Sequence, residues 1–281
     1  MTQASTSPVQ KLSALRDIIR GYGSILVAYS GGADSAFLAA VAHQAVSDRC
    51  LAVTARSPSL AESELEQAVE LAGRMGWRHH VIDTKELEDP RYVANDSRRC
   101  FFCKNELYTR LTQIAAAEGL ARVANGSNVD DLGDYRPGLD AAAKFRVSSP
   151  LVDAGLKKEE IRTLSRDLGL PTWDKPAQAC LSSRIPYGAA VSVDALNQIA
   201  QAEAVLRELG FRQVRVRHHD RVARIEVPAG DIGRLAEPHL RRLVTERLRA
   251  AGYLYVTLDL SGFRSGSLND ALPMAQRTPR S

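Results

Sequence analysis

Three short stretches of the 281-residue chain hold side chains at spacings that can do chemistry. In Ser30-Gly31-Gly32-Ala33-Asp34-Ser35, adjacent glycines let the backbone curl tightly. Its amides and the first turn of a following helix can then surround an oxyanion, with the hydroxyls of Ser30 and Ser35 as further donors. The stretch lacks the Gly-Lys-Ser/Thr ending of a Walker loop. Without a ligand the same residues make a tight strand-to-helix turn with Asp34 at the positive helix end. Cys100-Phe-Phe-Cys103 offers two soft thiolates from one turn, and Cys180 supplies a third from a proline-bounded loop. Zinc and iron-sulfur clusters take three or four such ligands. Three thiols with no obvious fourth ligand suit a cluster with one open iron better than a closed zinc site; reduced, unligated thiols are the plainer alternative. Cys50 begins an apolar run and is expected to pack as a small hydrophobe, while His79 and His80 are possible fourth ligands in strand-like surroundings that favour packing or surface roles. Residues 125–138 carry Asp130, Asp131 and Asp134, which can hold Mg²⁺ through water or orient a nucleotide, or else face solvent in a turn-rich loop.

Apolar spacing predicts the elements that must position these groups. Leu12, Leu15, Ile18 and Ile19 recur at helical spacing over residues 9–21. The run 24–29 predicts a strand ending at the glycine turn, and apolar-rich 36–46 the helix after it. The alternation continues with a strand at 51–54 and a helix over 60–75 opened by a Ser59-Leu-Ala-Glu62 capping box. A strand at 79–83, a helix around 107–118, a strand at 122–125 and a helix over 156–168 follow. This order predicts an α/β class with a doubly wound parallel sheet. Residues 171–188, with three prolines and Cys180, read as a junction loop. Beyond it, helices over 193–209 and 234–250 with strands at 214–216, 222–227 and 253–260 predict a second, smaller α+β domain. The expected division is a flexible tail over 1–7, a first domain over 8–185, a second over 186–268, and a flexible tail over 269–281.

Hydrophobic residues at 44% and charged residues at 25% exclude disordered and fibrous classes. Four cysteines are too sparse for a secreted disulfide scaffold, and no membrane span or signal-peptide core is visible. A soluble cytoplasmic protein is expected. The net charge of +4 is too small for a dedicated nucleic-acid binder unless it is concentrated. It is: residues 205–250 hold eleven arginines and no lysine against six acids. The planar fork of arginine suits paired recognition of carboxylate or phosphate. Arg241, Arg242, Arg247 and Arg249 read as a solvated, salt-bridged helix face, whereas Arg215 and Arg217 alternate with valines and so point to one face of a strand. Glu203, Glu226 and Asp231 can either pair with these arginines or bind a divalent metal.

Tyr29-Ser-Gly-Gly-Ala-Asp-Ser35 resembles the signature of the PP-loop ATP pyrophosphatases, which cleave ATP to AMP and pyrophosphate while adenylylating a substrate oxygen. The resemblance implies that Ser30, Gly31, Gly32, Asp34 and Ser35 hold ATP phosphates, with Asp34 near Mg²⁺. It further implies that Gly126 lets its loop approach the nucleotide and that Lys104 neutralises the leaving pyrophosphate. The stretches 130–138, 175–188, 215–217, 223–226 and 255–267 are similar to the LarE-type sulfur transferases of nickel-pincer nucleotide cofactor biosynthesis, a resemblance covering nearly the whole chain. It implies that ATP activates the carboxylates of pyridinium-3,5-biscarboxylic acid mononucleotide as acyl-adenylates and that sulfur displaces AMP, once per carboxylate. Cys180 matches the sulfur-bearing cysteine of that family; Ser183 and Arg184 are then expected at the adenylate or substrate, and Arg215, Arg217 and Arg264 at its phosphate. With Cys100 and Cys103 also present, the closest match is to members whose three cysteines hold a 4Fe-4S cluster that accepts exogenous sulfide. In sacrificial members the counterpart of Cys180 alone gives up its sulfur and ends as dehydroalanine. A PP-loop tRNA thiolase with a basic RNA-binding surface, and a non-enzymatic nucleotide-binding fold carrying zinc, are the rival readings. The implied partners are the mononucleotide, a sulfide source, nickel-pincer pathway proteins and further copies of the chain in a homo-oligomer.

Overall fold

The structure, a computed structural model, describes residues 7–133, 137–264 and 266–271. The expected tails lie outside them except for Ser7 and residues 269–271, as does Asp134. The first part of the chain runs α1 (Pro8–Tyr22), β1 (Ile25–Ala28), α2 (Ala33–Val46), β2 (Cys50–Arg56), α3 (Glu62–Arg74), β3 (His79–Asp83), α4 (Pro90–Val93) and α5 (Arg99–Ala117). It continues with β4 (Arg122–Ala124), α6 (Pro137–Lys144), α7 (Pro150–Asp153) and α8 (Lys158–Asp167). After the junction come α9 (Val193–Glu208), β5 (Arg215–His219), β6 (Val222–Glu226), α10 (Ile232–Ala236), α11 (Pro238–Ala250) and β7 (Tyr255–Leu258).

The first sheet is parallel in the order β3-β2-β1-β4, and an isolated parallel bridge from Ala124 to Ser148 extends its edge. Its register explains the continuous apolar runs read from the sequence. Ile25 and Val27 of β1 face one side with their partners Cys50 and Ala52, while Leu26 faces the other with its partner Leu51 and with Val53. The first side is covered by α1, α2, α3 and α8, the second by α5 and α6, so neither alternation nor a polar face is available to these strands. Each fully buried aliphatic side chain stabilises this sandwich by about 1.5–3 kcal/mol relative to exposure. No helix among the described residues is long and apolar enough to cross a membrane.

The second sheet has the order β5-β6-β7, antiparallel then parallel, and packs its apolar face against α9, α10 and α11. α9 serves two cores. Its C-terminal Ala202, Val205 and Leu206 join that packing, whereas Ala195, Leu196 and Ile199 join Tyr92, Leu181, Ile185 and Val191 in a cluster shared with the first domain.

Four local expectations differ from what forms. The capping box at Ser59 is not made: α3 starts after Ala61, which has no side-chain cap, because the Ser59 hydroxyl is bonded elsewhere. The helix expected near residue 107 begins at Arg99 and so takes in both Cys100 and Cys103. The helix expected over 234–250 is two helices, broken where Glu237 is driven to an extended ψ of 139° ahead of Pro238. The short helices α6 and α7 were not expected; they interrupt turn-rich sequence.

Burial lowers the pKa of His79 below its ordinary 6.5, helped by the neighbouring His80 charge, and burial likewise lowers that of His218. The folded chain therefore binds fewer protons at these sites than the unfolded chain, so their contribution is intact above pH 6.5 and is lost as pH falls below it. The thermal midpoint is expected to drop between pH 7 and pH 5, and H79Q to flatten that limb. Calorimetry across the range checks this, and an unchanged slope in H79Q rejects it.

Candidate active site

The phosphate loop lies where β1 hands over to α2, at the carboxyl end of the parallel strands, where open α/β sheets bind ligands. The hydroxyl of Ser35 organises it. That oxygen accepts from the Ser30 amide at 3.2 Å, lies 3.1 Å from Ser30 Oγ, and donates to Gly32 O at 3.2 Å. Gly31 has φ +72°, and a Cβ there would stand 2.9 Å from Ala68 Cβ on α3. Gly32 caps α2 with no side-chain bond, which leaves the helix's first amides to receive an anion. Thr54 braces the loop from behind by donating to Tyr29 O at 2.8 Å; with its proton committed there, it accepts from His79 Nε2 at 2.8 Å.

Gly126 closes the other side. A Cβ on it would meet the backbone nitrogen of Ser35 at 2.9 Å and its Cα at 3.0 Å, so only glycine lets the loop after β4 touch the phosphate loop. That loop is held by Asn125, whose Oδ1 accepts from Ser127 N and Ser149 Oγ, each at 3.0 Å. Asp130 and Asp131 have structural employment: Asp130 accepts from Lys158 N at 2.7 Å, capping α8, and Asp131 accepts from Asn128 N at 3.1 Å.

Cys100 and Cys103 sit three residues apart on α5, on one face, and Cys180 immediately precedes a single 3-10 turn over Leu181–Arg184. Cys100 and Cys180 are open to solvent and Cys103 is half-buried. Surrounding protein pushes the Cys100 thiol above its ordinary range, opposed by Arg99, and the Cys180 thiol adds to the rise. Burial does the same to Cys103, with Glu86, Cys180 and Cys100 adding to it. The three thiols thus share one electrostatic neighbourhood. Cys50 packs in β2 as expected, its thiol pushed up to about 12 by burial. Two cations face the group. Burial works against the charge of Lys104, yet Tyr108 and the three thiols raise its pKa overall, and Arg99 shows the same balance with Cys180 and Cys100. Lys104 is therefore placed with the sulfurs and over the Tyr108 ring, whose hydroxyl lies 3.4 Å from Asn125 Nδ2 of the nucleotide-side loop.

Sequence reading missed the residues that hold Cys180 in place. Ser59, Tyr92 and Ser182 form a buried triangle of hydroxyls with sides of 2.6, 2.7 and 2.6 Å, and Leu181 N donates to Ser59 O at 2.8 Å. Arg99, buried, donates to Ser182 O at 2.8 Å and to Asn95 Oδ1. Only Arg99, adjacent to Cys100, carried a local signal.

The arginines divide by partner. Arg184 is 1% exposed and forks onto Glu203 at 2.7 and 3.0 Å while donating to Ala179 O at 2.7 Å and Ser183 Oγ at 3.0 Å. Glu203 also takes Arg207 and the amide of Val216. Arg217 forks onto Glu226 at 2.9 Å on both arms and reaches Ser183 O and Ser267 Oγ, each at 2.7 Å. Glu203 and Glu226 are thus occupied by arginines, and among the described residues no group of three or more His, Cys, Asp or Glu side chains converges to hold a metal ion. For Glu203 and Glu226 the arginine pairing is what the geometry contains, and Arg184 and Arg217 act as struts. Arg264 pairs with Asp270 at the surface, and Asp231 borders a cavity of about 410 Å³ with Arg212. Arg215 differs. It lies over the Phe263 ring at 4.4 Å, its polar contact is Arg264 O at 3.5 Å, and it has no carboxylate partner among the described residues. Burial, then the charges of Arg184 and Arg217, lowers its pKa to about 10.

A family profile described as NAD synthase matches residues 10–111. An uncharacterized protein of Synechocystis sp. is 45% identical over 93% of this chain and 98% of its own. The pyridinium-3,5-bisthiocarboxylic acid mononucleotide synthase of Lactiplantibacillus plantarum is 38% identical over 98% of each chain. An uncharacterized protein of Methanocaldococcus jannaschii is 26% identical over 86% of this chain and 91% of its own.

Two substitutions test the geometry. G126A is expected to weaken ATP binding by at least about tenfold while the chain stays folded, measured by titration calorimetry, because its methyl forces the two loops apart. E203Q is expected to lower the unfolding free energy by about 3 kcal/mol in urea melts, since it strips the buried Arg184 of its counter-charge.

Proposed function

The chain belongs to the family of LarE-type, PP-loop, ATP-dependent sulfur transferases, and from that premise we propose that it converts the carboxylates of pyridinium-3,5-biscarboxylic acid mononucleotide to thiocarboxylates. The observation that carries the reading is the meeting of a glycine-walled phosphate loop and three thiols in one electrostatic neighbourhood, joined through Lys104, Tyr108 and Asn125. ATP phosphates occupy the amides of Gly32 and the first turn of α2, with Asp34 beside Mg²⁺. A substrate carboxylate attacks the α-phosphorus, pyrophosphate leaves, and the acyl-adenylate is exposed to sulfur, which displaces AMP. Arg215 receives the phosphate of the mononucleotide: a buried arginine without a carboxylate is a ready partner for a dianion.

The thiol chemistry of Cys100, Cys103 and Cys180 suits a 4Fe-4S cluster, with Arg99 and Lys104 supplying positive charge beside them, but among the described residues the three sulfurs do not converge on one metal position. When bound, such a cluster supplies a site at which external sulfide is held. Arg99 opposes the rise in the Cys100 thiol and Lys104 opposes it at Cys100 and Cys103, while Arg184 donates to Cys180 O at 3.3 Å and the Cys180 side chain faces solvent. The exposure of Cys180 on a loop also supports a sacrificial route, in which its own sulfur is transferred and the residue is left as dehydroalanine.

Anaerobic reconstitution decides between the two. About four irons per chain with broad visible absorbance, lost in C100S and C103S, is the expected result. A colourless protein whose mass falls by one H₂S on turnover establishes the sacrificial route instead. Absence of pyrophosphate release from ATP in the presence of the biscarboxylate rejects both.

A further inference from the structure

Lys175 lies five residues before Cys180, at the start of the exposed stretch that carries the cysteine. Its backbone is fixed from one side by Arg162 of α8, which donates to Lys175 O at 2.8 Å and to Trp173 O at 3.3 Å. Its side chain crosses to the other side and divides its donors between the back of the phosphate loop and the adjoining helix α3. Lys175 Nζ donates to Gly31 O at 3.2 Å and to Gln67 Oε1 at 3.0 Å, and pairs with Glu64 Oε2 at 2.6 Å, with both charged side chains 13% exposed. An ammonium has three protons, and three acceptors surround this one.

The contact with Gly31 O has a geometric consequence. A trans peptide is planar, and its carbonyl and amide point in opposite directions. Drawing Gly31 O toward Lys175 therefore aims the Gly32 amide away from Lys175, into the concavity where the first amides of α2 await an anion. Gly31, at φ +72° and without a side chain, is the residue of the loop whose backbone freedom such a contact restricts most. From Lys175 the chain continues through Pro176, Ala177, Gln178 and Ala179 to Cys180, all but Pro176 exposed, until Leu181 is pinned to Ser59 O at 2.8 Å. One residue thus grips the phosphate loop with its side chain and leads the sulfur-bearing stretch with its backbone.

We propose that Lys175 is a positioning residue that sets the Gly31–Gly32 peptide plane for phosphate binding and thereby couples occupancy of the phosphate loop to the placement of residues 176–180. The proposal rests on the reading above that ATP binds this loop and that Cys180 bears the sulfur. Linkage requires the coupling to run both ways: a phosphate that tightens the Gly32 amide tightens the Lys175 grip, and loss of the grip weakens the phosphate.

The test uses the full chain with Mg²⁺-ATP and with inorganic pyrophosphate as probes, read by calorimetry and by hydrogen exchange of the peptide covering residues 176–182. In the unsubstituted protein, ATP is expected to slow exchange in that peptide. K175M keeps the aliphatic stem and is expected to weaken both probes by about tenfold, the loss of one hydrogen bond from a charged donor, and to abolish the exchange response. K175R restores a charged donor and is expected to recover both; a role in packing alone would leave K175M and K175R alike. E64Q removes the carboxylate but leaves Gly31 O bonded, so it keeps the exchange response if K175M proves unstable. Normal ATP affinity and a normal response in K175M overturn the assignment to Lys175 while leaving the nucleotide reading intact. Failure of ATP to bind the unsubstituted protein overturns the nucleotide reading and the coupling together.

Discussion

The buried ion pair of Arg184 and Glu203 is the constraint on which the rest of the molecule hangs. Two charges taken out of water cost several kcal/mol each, and only a full set of partners offsets that cost. Here the set is full. Arg184 forks onto Glu203 and reaches back to the carbonyl of Ala179, while Glu203 also receives Arg207 and the amide of Val216 on β5. The pair therefore ties together the loop bearing Cys180, the long helix α9 and the second sheet. Arg217 with Glu226 repeats the arrangement one layer on and takes Ser183 O from the same loop. The Cys180 thiol is exposed while its loop is held, because the backbone, and not the side chain, is what the arginines grip.

The opposite bank of the site is built from hydroxyls and cations. The triangle of Ser59, Tyr92 and Ser182 and the guanidinium of Arg99 anchor the same 3-10 turn to the first domain. Arg99 has two duties, a hydrogen bond to Ser182 O and an attraction for thiolate on Cys100 and Cys180. Structure and electrostatics are not separable at that residue. Glu86 adds a contrary note: it is 2% exposed, bonded to Ser57 through one oxygen, and it opposes ionisation of Cys103.

Much of this was legible in the sequence where local pattern decides the outcome. The parallel sheet followed from apolar runs separated by helical spacing, and the phosphate loop from two glycines between a strand and a helix. The CxxC pair was legible as chemistry, though not as the opening of α5, because Arg-Cys-Phe-Phe-Cys has no marked helical periodicity or cap. What was not legible is long-range pairing of polar groups. Ser59 looked like a helix cap, since nothing nearby reveals that Tyr92 and Ser182 compete for its hydroxyl across 33 and 123 residues. Arg184, Arg215 and Arg217 looked equivalent as anion receptors. Their roles separate only when Glu203 and Glu226 are seen to claim two of them, and Arg215 to be left against an aromatic ring.

The sharing of α9 between two cores bears on how the chain can be divided. Leu196 and Ile199 complete a cluster whose other walls are Tyr92, Leu181 and Ile185, so the first domain's surface is finished by a helix that begins beyond its expected end at residue 185. A fragment cut there would present that apolar wall to water and be prone to self-association, and the remainder would carry the whole of α9 with the apolar stripe of its first half bare. The two lobes have separate sheets but a common seam.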